Sequence, residues 1–296
     1  MKKVFGILLA LMLLSPVYCQ DSVKVDSAWK FGGHFVFTMS HISYSNWAAG
    51  GENSYSGNSR LGLFANYNKG KLSWENNLDL AYGLTKQEDQ HKIRKSDDII
   101  EFTSKLGRKA SNYWYYSVLF GAKTQFAEGR KYLDDDTSFT IVSKFISPIN
   151  LNLAIGADYK PNEHTSLFLS LLNSKILYVS DDSLLTINSL NPDEHLNYEL
   201  GFFAKFKYQK ELIENLNFMT KLDVFADYLE LVSIEDVDFS WEVLLTLKVF
   251  KALSVNFNTH IVWDNDVKSV NETTGEPGSA KIQFKEIFGA GLTYIF

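Results

Sequence analysis

Cysteine is nearly missing from this chain: Cys19 is the only one in 296 residues. It lies within the first twenty residues, so a mature chain without them would hold no disulfide, no thiolate metal site and no cysteine nucleophile. Nor is there an apolar run long enough to cross a bilayer as a helix. The run from Val4 to Leu14 falls short of the roughly 20 residues a spanning helix needs. It follows Lys2 and Lys3, which is the layout of a secretory signal. Val17 and Cys19 are small enough for the −3 and −1 positions, so cleavage is expected before Gln20. Residues 1–19 would then be a signal peptide and 20–296 the folded unit. The alternative, a lipoprotein acylated on Cys19, is disfavoured by the bulk of Tyr18 just before it. A strong excess of one charge sign is also missing. The net value of −6 comes from 29 basic and 35 acidic residues spread along the chain, so no nucleic-acid partner is expected. Finally, no stretch carries a convincing helical period, and no break in composition marks a second domain.

Alternation with period two is present instead, almost everywhere. In LSWENNLDLAYGLT, residues 72–85, Leu72, Trp74, Leu78, Leu80, Tyr82 and Leu84 share one face, interrupted only by Asn76. Ser73, Glu75, Asn77, Asp79, Ala81, Gly83 and Thr85 share the other. The same pattern predicts strands over 29–43, 54–68, 72–85, 98–108, 113–126, 146–160, 165–179, 196–209, 216–229, 237–250, 253–264 and 282–296. Pro148 removes a ladder donor from the sixth, and 139–146 is a candidate separate strand. Aromatic residues make up 15% of the chain, which suits strands.

The links between strands alternate as well. NKG, RKASN, PNEH, QKELIEN and FKA are short, whereas TKQEDQHKIRKSD, AEGRKYLDDDTS and NDVKSVNETTGEPGSAK are long and polar. Outer-membrane barrels have that polarity, with short periplasmic turns and longer outer loops. A soluble barrel would share the period but not the rest. Trp114, Tyr82, Tyr208, Tyr228, Trp263 and Tyr294 cluster toward strand ends on the apolar face, as interfacial girdles do. The strands exceed the roughly 9–11 residues a tilted spanning strand needs, and nine glycines fall on the polar face, where they let a sheet curl. The expected fold is all-β, a closed antiparallel transmembrane β-barrel of about 12 strands after a cleaved signal peptide. Its apolar face would meet outer-membrane lipid, and its last strand, FGAGLTYIF ending at Phe296, would engage the barrel-assembly machinery.

Five stretches carry a resemblance: SNWAAGGENSYSG (45–57), KGKLSWENNLDLAYG (69–83), NYWYYSVLFGAKTQF (112–126), WEVLLTLKV (241–249) and QFKEIFGAGLTYIF (283–296). On these the chain resembles an uncharacterised family of Gram-negative outer-membrane proteins, domain of unknown function 3078. The resemblance implies an outer-membrane β-barrel and supplies no substrate or catalytic residue.

The candidate functional residues lie on the enclosed face and on one loop. SNWAAGGENS places Trp47, Glu52 and Asn53 beside a Gly-Gly pair that permits positive backbone angles. It reads either as a packed turn or as a constriction that touches ligand. No Gly-Lys-Ser/Thr follows, so it is not a phosphate loop. The polar face offers Arg60, Glu75, Asp79, Glu101, Lys105, Lys123, Glu199, Lys205, Asp223, Glu242 and His260 as lumen groups. Their signs nearly balance. They read either as ion pairs filling the lumen or as the lining of a narrow conduit that passes or binds a small solute. Alternatives are a closed interaction barrel and a lipid-modifying enzyme using His41 with Ser40 and Ser43. Serine and histidine are too common for that pairing to define a catalytic residue. Asp134, Asp135 and Asp136 with Glu128 lack the calcium-loop spacing, so neither metal nor cofactor is expected.

Overall fold

The computed structural model describes residues 28–42, 54–87, 92–132, 139–188, 190–229, 236–265, 268–270 and 277–296. Residues 1–19, residues 45–53 of the SNWAAGGENS stretch and Asp134–Asp136 lie outside the described residues. Alternating strands dominate, as the period of two demands. They are β1 (Trp29–Ile42), β2 (Ser54–Lys69), β3 (Leu72–Gln87), β4 (Arg94–Lys109), β5 (Trp114–Thr124), β6 (Gly129–Tyr132), β7 (Phe139–Ser143), β8 (Ile149–Asn162) and β9 (Thr165–Tyr178). The chain continues with β10 (Leu196–Ile213), β11 (Leu216–Asp227), β12 (Val237–Phe250), β13 (Leu253–Trp263), β14 (Lys268–Val270), β15 (Pro277–Ala280) and β16 (Gln283–Ile295).

Twelve of these close on themselves in the order β1-β16-β13-β12-β11-β10-β9-β8-β5-β4-β3-β2, every pair antiparallel. The four others form two hairpins, β6–β7 and β14–β15, within the long links. Residues 139–143 are therefore a separate strand. QKELIEN is shorter as a link than its composition predicts, because β10 continues to Ile213 and the turn tightens at Asn215, where φ is 69°. The β2–β3 turn is equally tight and uses Gly70 at φ 62°, a backbone state other residues resist. One end of the barrel thus carries short turns and both strand termini of the closing seam, and the other carries the long links.

Sidedness follows the alternation. Phe31, Phe35, Met39, Leu72, Trp74, Tyr116, Val118, Phe120, Leu153, Tyr198, Trp241, Phe288, Leu292 and Tyr294 are exposed on the outside. Thr38, Ser73, Lys105, Asp158, Glu199, Asn256, Asn258 and Thr293 are buried inside. An exterior so rich in large apolar side chains needs hydrocarbon around it, and closure leaves no backbone edge unpaired within that hydrocarbon. At the short-turn end Trp29 packs against Phe31, Tyr67 and Trp74 at 5.7, 5.2 and 5.6 Å between ring centroids, and Trp114 packs on Tyr159 at 4.9 Å. This is one interfacial girdle. The outward Asn76 that interrupts its apolar row is answered locally: its amide donates to the Ala65 carbonyl at 3.1 Å and its oxygen accepts from Ser104 at 2.8 Å. At the end that carries the long links, His41 stacks on Tyr55 at 4.3 Å, a position suited to an interfacial aromatic.

Backbones approach closely at the closing seam. β1 and β16 pair from His34–Ile295 to Met39–Ala290, with Gly33 and Phe296 exchanging backbone hydrogen bonds at 2.9 and 3.1 Å. A Cβ at Gly291 would run into the Phe37 carbonyl oxygen and the Thr38 Cα. Gly291→Ala should therefore destabilise the barrel by about 1–3 kcal/mol, the cost of overpacking, read as a lower urea midpoint in lipid vesicles. Gly121→Ala is the control. Its Cβ would sit 3.7 Å from the Asn152 Cβ and 4.0 Å from the Phe102 oxygen, and the midpoint should stay put.

Candidate functional site: the lumen

The inward residues meet across the barrel as well as along its wall. Asp79 lies near the middle of β3 and Lys221 near the middle of β11, six places apart in the ring of twelve. Their 2.9 Å ion pair spans the full diameter. Arg60 on β2 reaches Glu242 on β12 at 2.5 Å, and Asn258 donates a further hydrogen bond to the same carboxylate at 3.1 Å. Both pairs leave their side chains mostly covered: 17% and 15% exposed for Asp79 and Lys221, 13% and 14% for Arg60 and Glu242. Together they form a cross-lumen layer halfway along the strands.

Toward the short-turn end the lumen holds a second cluster. Lys105 bridges Asp158 at 2.7 Å and Glu75 at 3.4 Å, while Lys160 contacts Glu75 and lies 3.1 Å from Asp158. Ser166 donates to Asp158 at 2.9 Å and accepts from Lys105 at 2.9 Å. Each of these charges is thus paired and hydrogen-bonded, the condition for ions away from bulk water.

The half facing the long links is different. A cavity of about 360 Å³ opens there, with Arg60, Lys221 and Glu242 among its lining residues and Asp98, Gln125 and Asp264 near its rim. Around it Lys205 pairs with Asp223 at 2.7 Å, and Lys175 holds both Glu199 and Asp238 at 2.9 Å. His260 shares a hydrogen bond with Ser240 at 2.8 Å. Glu101 on β4 and Lys123 on β5 line the same cavity as register partners. Neither has a counterion within 4 Å among the described residues.

One wall of the lumen is apolar. Leu119, Ala154, Phe168, Phe203 and Phe225 point inward from β5, β8, β9, β10 and β11 and pack as one buried cluster. Lys175 lies over the Phe225 ring at 4.9 Å, a favourable cation–π placement. Oily out and ionic in is therefore the rule on most of the wall and fails on this arc. The links above it are packed rather than open: Val179, Leu184 and Leu185 are buried against Ile141, Leu177 and Leu190. Asp181 ties this cap down through hydrogen bonds from Lys144, at 2.5 Å, and from Ser183. Those bonds hold its carboxyl at about 2, below its ordinary value. A depressed acid contributes fully above its ordinary pKa and loses the contribution as pH falls toward the depressed one, so the tie persists at any neutral or mildly acidic pH.

Of the groups singled out by alternation, Arg60, Glu75, Asp79, Glu101, Lys105, Lys123, Glu199, Lys205, Asp223, Glu242 and His260 all face the lumen. Trp47, Glu52 and Asn53 lie outside the described residues. The main omission is Lys175. Counting in twos from Ser166 puts it outside, but Leu171 and Leu172 form a β-bulge, both exposed, opposite Phe202. The extra residue reverses the parity beyond it and turns Asn173 and Lys175 inward. Lys160 lies within the strand expected over 146–160 and shares the inward parity of Asp158, so alternation places it in the lumen as well.

No curated protein matches this chain. Among solved structures it is similar to the translocator domain of autotransporter NalP from Neisseria meningitidis, at 10% identity and a TM-score of 0.37, covering 99% of this chain and 96% of that one. It is also similar to the COG4313 outer membrane channel from Pseudomonas putida F1, at 9% identity and 0.40, covering 96% and 100%. A third is the outer membrane channel DcaP of Acinetobacter baumannii, at 9% and 0.30, covering 90% and 97%. The barrel fold resembles those of Gram-negative outer-membrane proteins, and likeness at this level concerns architecture alone. The quoted stretches 241–249 and 283–296 fall outside the family match, whereas 45–57, 69–83 and 112–126 fall inside it. Over residues 39–129 the chain matches the family described as Protein of unknown function (DUF3078), and that is the family it resembles.

Proposed function

We propose that this protein is an outer-membrane barrel that binds a small polar solute in the outer half of its lumen and passes it when the ion pairs beneath part. The observation carrying this reading is the charged cavity of about 360 Å³ resting on the Arg60–Glu242 and Asp79–Lys221 pairs. Charged groups ringing a narrow lumen select by attraction and release by competition between neighbouring sites. Lys123, exposed within the cavity, and Glu101 are the two groups left to a visitor. Export past a signal in residues 1–19, residence of 20–296 in the outer membrane, and assembly through β16 with its outward Phe288, Leu292 and Tyr294 belong to the same proposal. Purified protein in planar bilayers should conduct ions or show solute-dependent flux. Silence across ions and small solutes of both charges would remove the reading.

A second reading, a closed barrel that works through its outer links, is favoured by the packed cap of Val179, Leu184 and Leu185. It replaces the first if the bilayers stay silent while photo-crosslinkers placed at Ile187 or Asp193 trap a protein in cells.

A further inference from the structure

Glu101 and Lys123 stand apart among the charges that line the cavity. The charges around them are paired: Lys205 with Asp223, Lys175 with Glu199 and Asp238, Arg60 with Glu242, and Lys221 with Asp79. Glu101 and Lys123 sit directly opposite each other on adjacent strands. Among the described residues, no hydrogen bond or ion pair engages either head group. Opposite charges side by side in a cavity, each without a counterion within 4 Å among the described residues, offer a visitor one site of each sign.

Singly charged visitors fit badly. An anion drawn to Lys123 meets the Glu101 carboxylate beside it, and a cation drawn to Glu101 meets the Lys123 ammonium. Such neighbours nearly cancel at partly screened distances. An uncharged solute leaves both groups without a charged partner. A zwitterion satisfies each with its own opposite, and charge-assisted hydrogen bonds are the strong ones. The cavity is at the small end of the range for ligand sites, roughly 300–1,000 Å³, which suits a molecule of amino-acid to short-peptide size. Leu119, Phe203 and Phe225 also line it, offering an apolar arc to such a molecule's body.

We infer that the lumen cavity takes a small zwitterion with an apolar body, an amino acid or short peptide, whose ammonium binds Glu101 and whose carboxylate binds Lys123. The inference rests on the reading of the lumen as a solute site and names its solute class.

The test uses the full-length protein, reconstituted and checked for closure by its heat-dependent gel mobility. Its probes are norleucine, hexanoate and pentylamine, which share a body and differ in charge. Binding is measured by calorimetry in micelles and by block of bilayer current. Norleucine should bind about tenfold or more tightly than either of the others, the worth of one charge-assisted hydrogen bond. Glu101→Gln should weaken norleucine by a similar factor and strengthen hexanoate, and Lys123→Gln should weaken norleucine and strengthen pentylamine. The double exchange Glu101→Lys with Lys123→Glu should recover norleucine binding, which a merely misfolded variant would not. Equal binding of the three probes, or variants without these opposite shifts, overturns the zwitterion while leaving solute passage standing. Absence of binding and flux for all three probes and for simple salts overturns both.

Discussion

Replacing Leu153 with arginine should lower the folding free energy in lipid vesicles by about 2–4 kcal/mol, the cost of a cation near the bilayer midplane on a lipid-facing strand. Leu153 points outward from β8, is 51% exposed, and pairs in register with Phe120 on β5. The Trp114–Tyr159 girdle lies below it on the same two strands, which sets its depth well inside the apolar band. Leu72, also outward but at the first position of β3 beside a turn, should tolerate the same change at about 0–1 kcal/mol. The gradient matters more than either number. A barrel standing in water would show a change within about 0.5 kcal/mol at both sites, so equal effects, measured by urea titration in vesicles, would end the membrane reading.

The second large effect concerns the layer halfway down the lumen. Asp79→Asn should destabilise the barrel by about 3 kcal/mol, at the lower end for breaking an enclosed pair because water reaches it, and should leave Lys221 without its partner across the diameter. Removing both side chains, with Asp79→Ala and Lys221→Ala together, should recover part of that stability. It should also clear the centre of the lumen, so single-channel conductance in planar bilayers should rise several-fold above that of the unmodified protein. An unchanged conductance would mean that the Asp79–Lys221 pair does not set the narrowest point, and the passage model would lose its gate.

Much of the barrel was legible in its residues. Strands drawn from alternation at 72–85, 216–229 and 253–264 became β3, β11 and β13 with ends shifted by three residues or fewer. Period two is enforced by geometry, since successive side chains leave opposite faces and one face must suit hydrocarbon. Errors gathered where that rule is locally broken. The bulge at Leu171 and Leu172 costs one residue of parity and hides Lys175, because two adjacent leucines look like any apolar run. Phe203 and Phe225 fall on the inward face by parity, but nothing in sequence shows that Leu119, Phe168, Phe203 and Phe225, on strands far apart in the chain, share one arc of wall.

The charged face shows the same division. Residue order alone, through the strict alternation of side chains, determined that Arg60, Asp79, Lys221 and Glu242 are enclosed and that Leu153 and Phe288 look out. It determined too that one rim has short turns and the other long links. Which acid meets which base was decided only by closure. Asp79 and Lys221 are separated by 142 residues and lie on strands that are not neighbours, so no local rule couples them. Their pairing is set by the number of strands and the stagger at which the sheet closes. That stagger brings them face to face and, among the described residues, leaves Glu101 and Lys123 without a counterion within 4 Å.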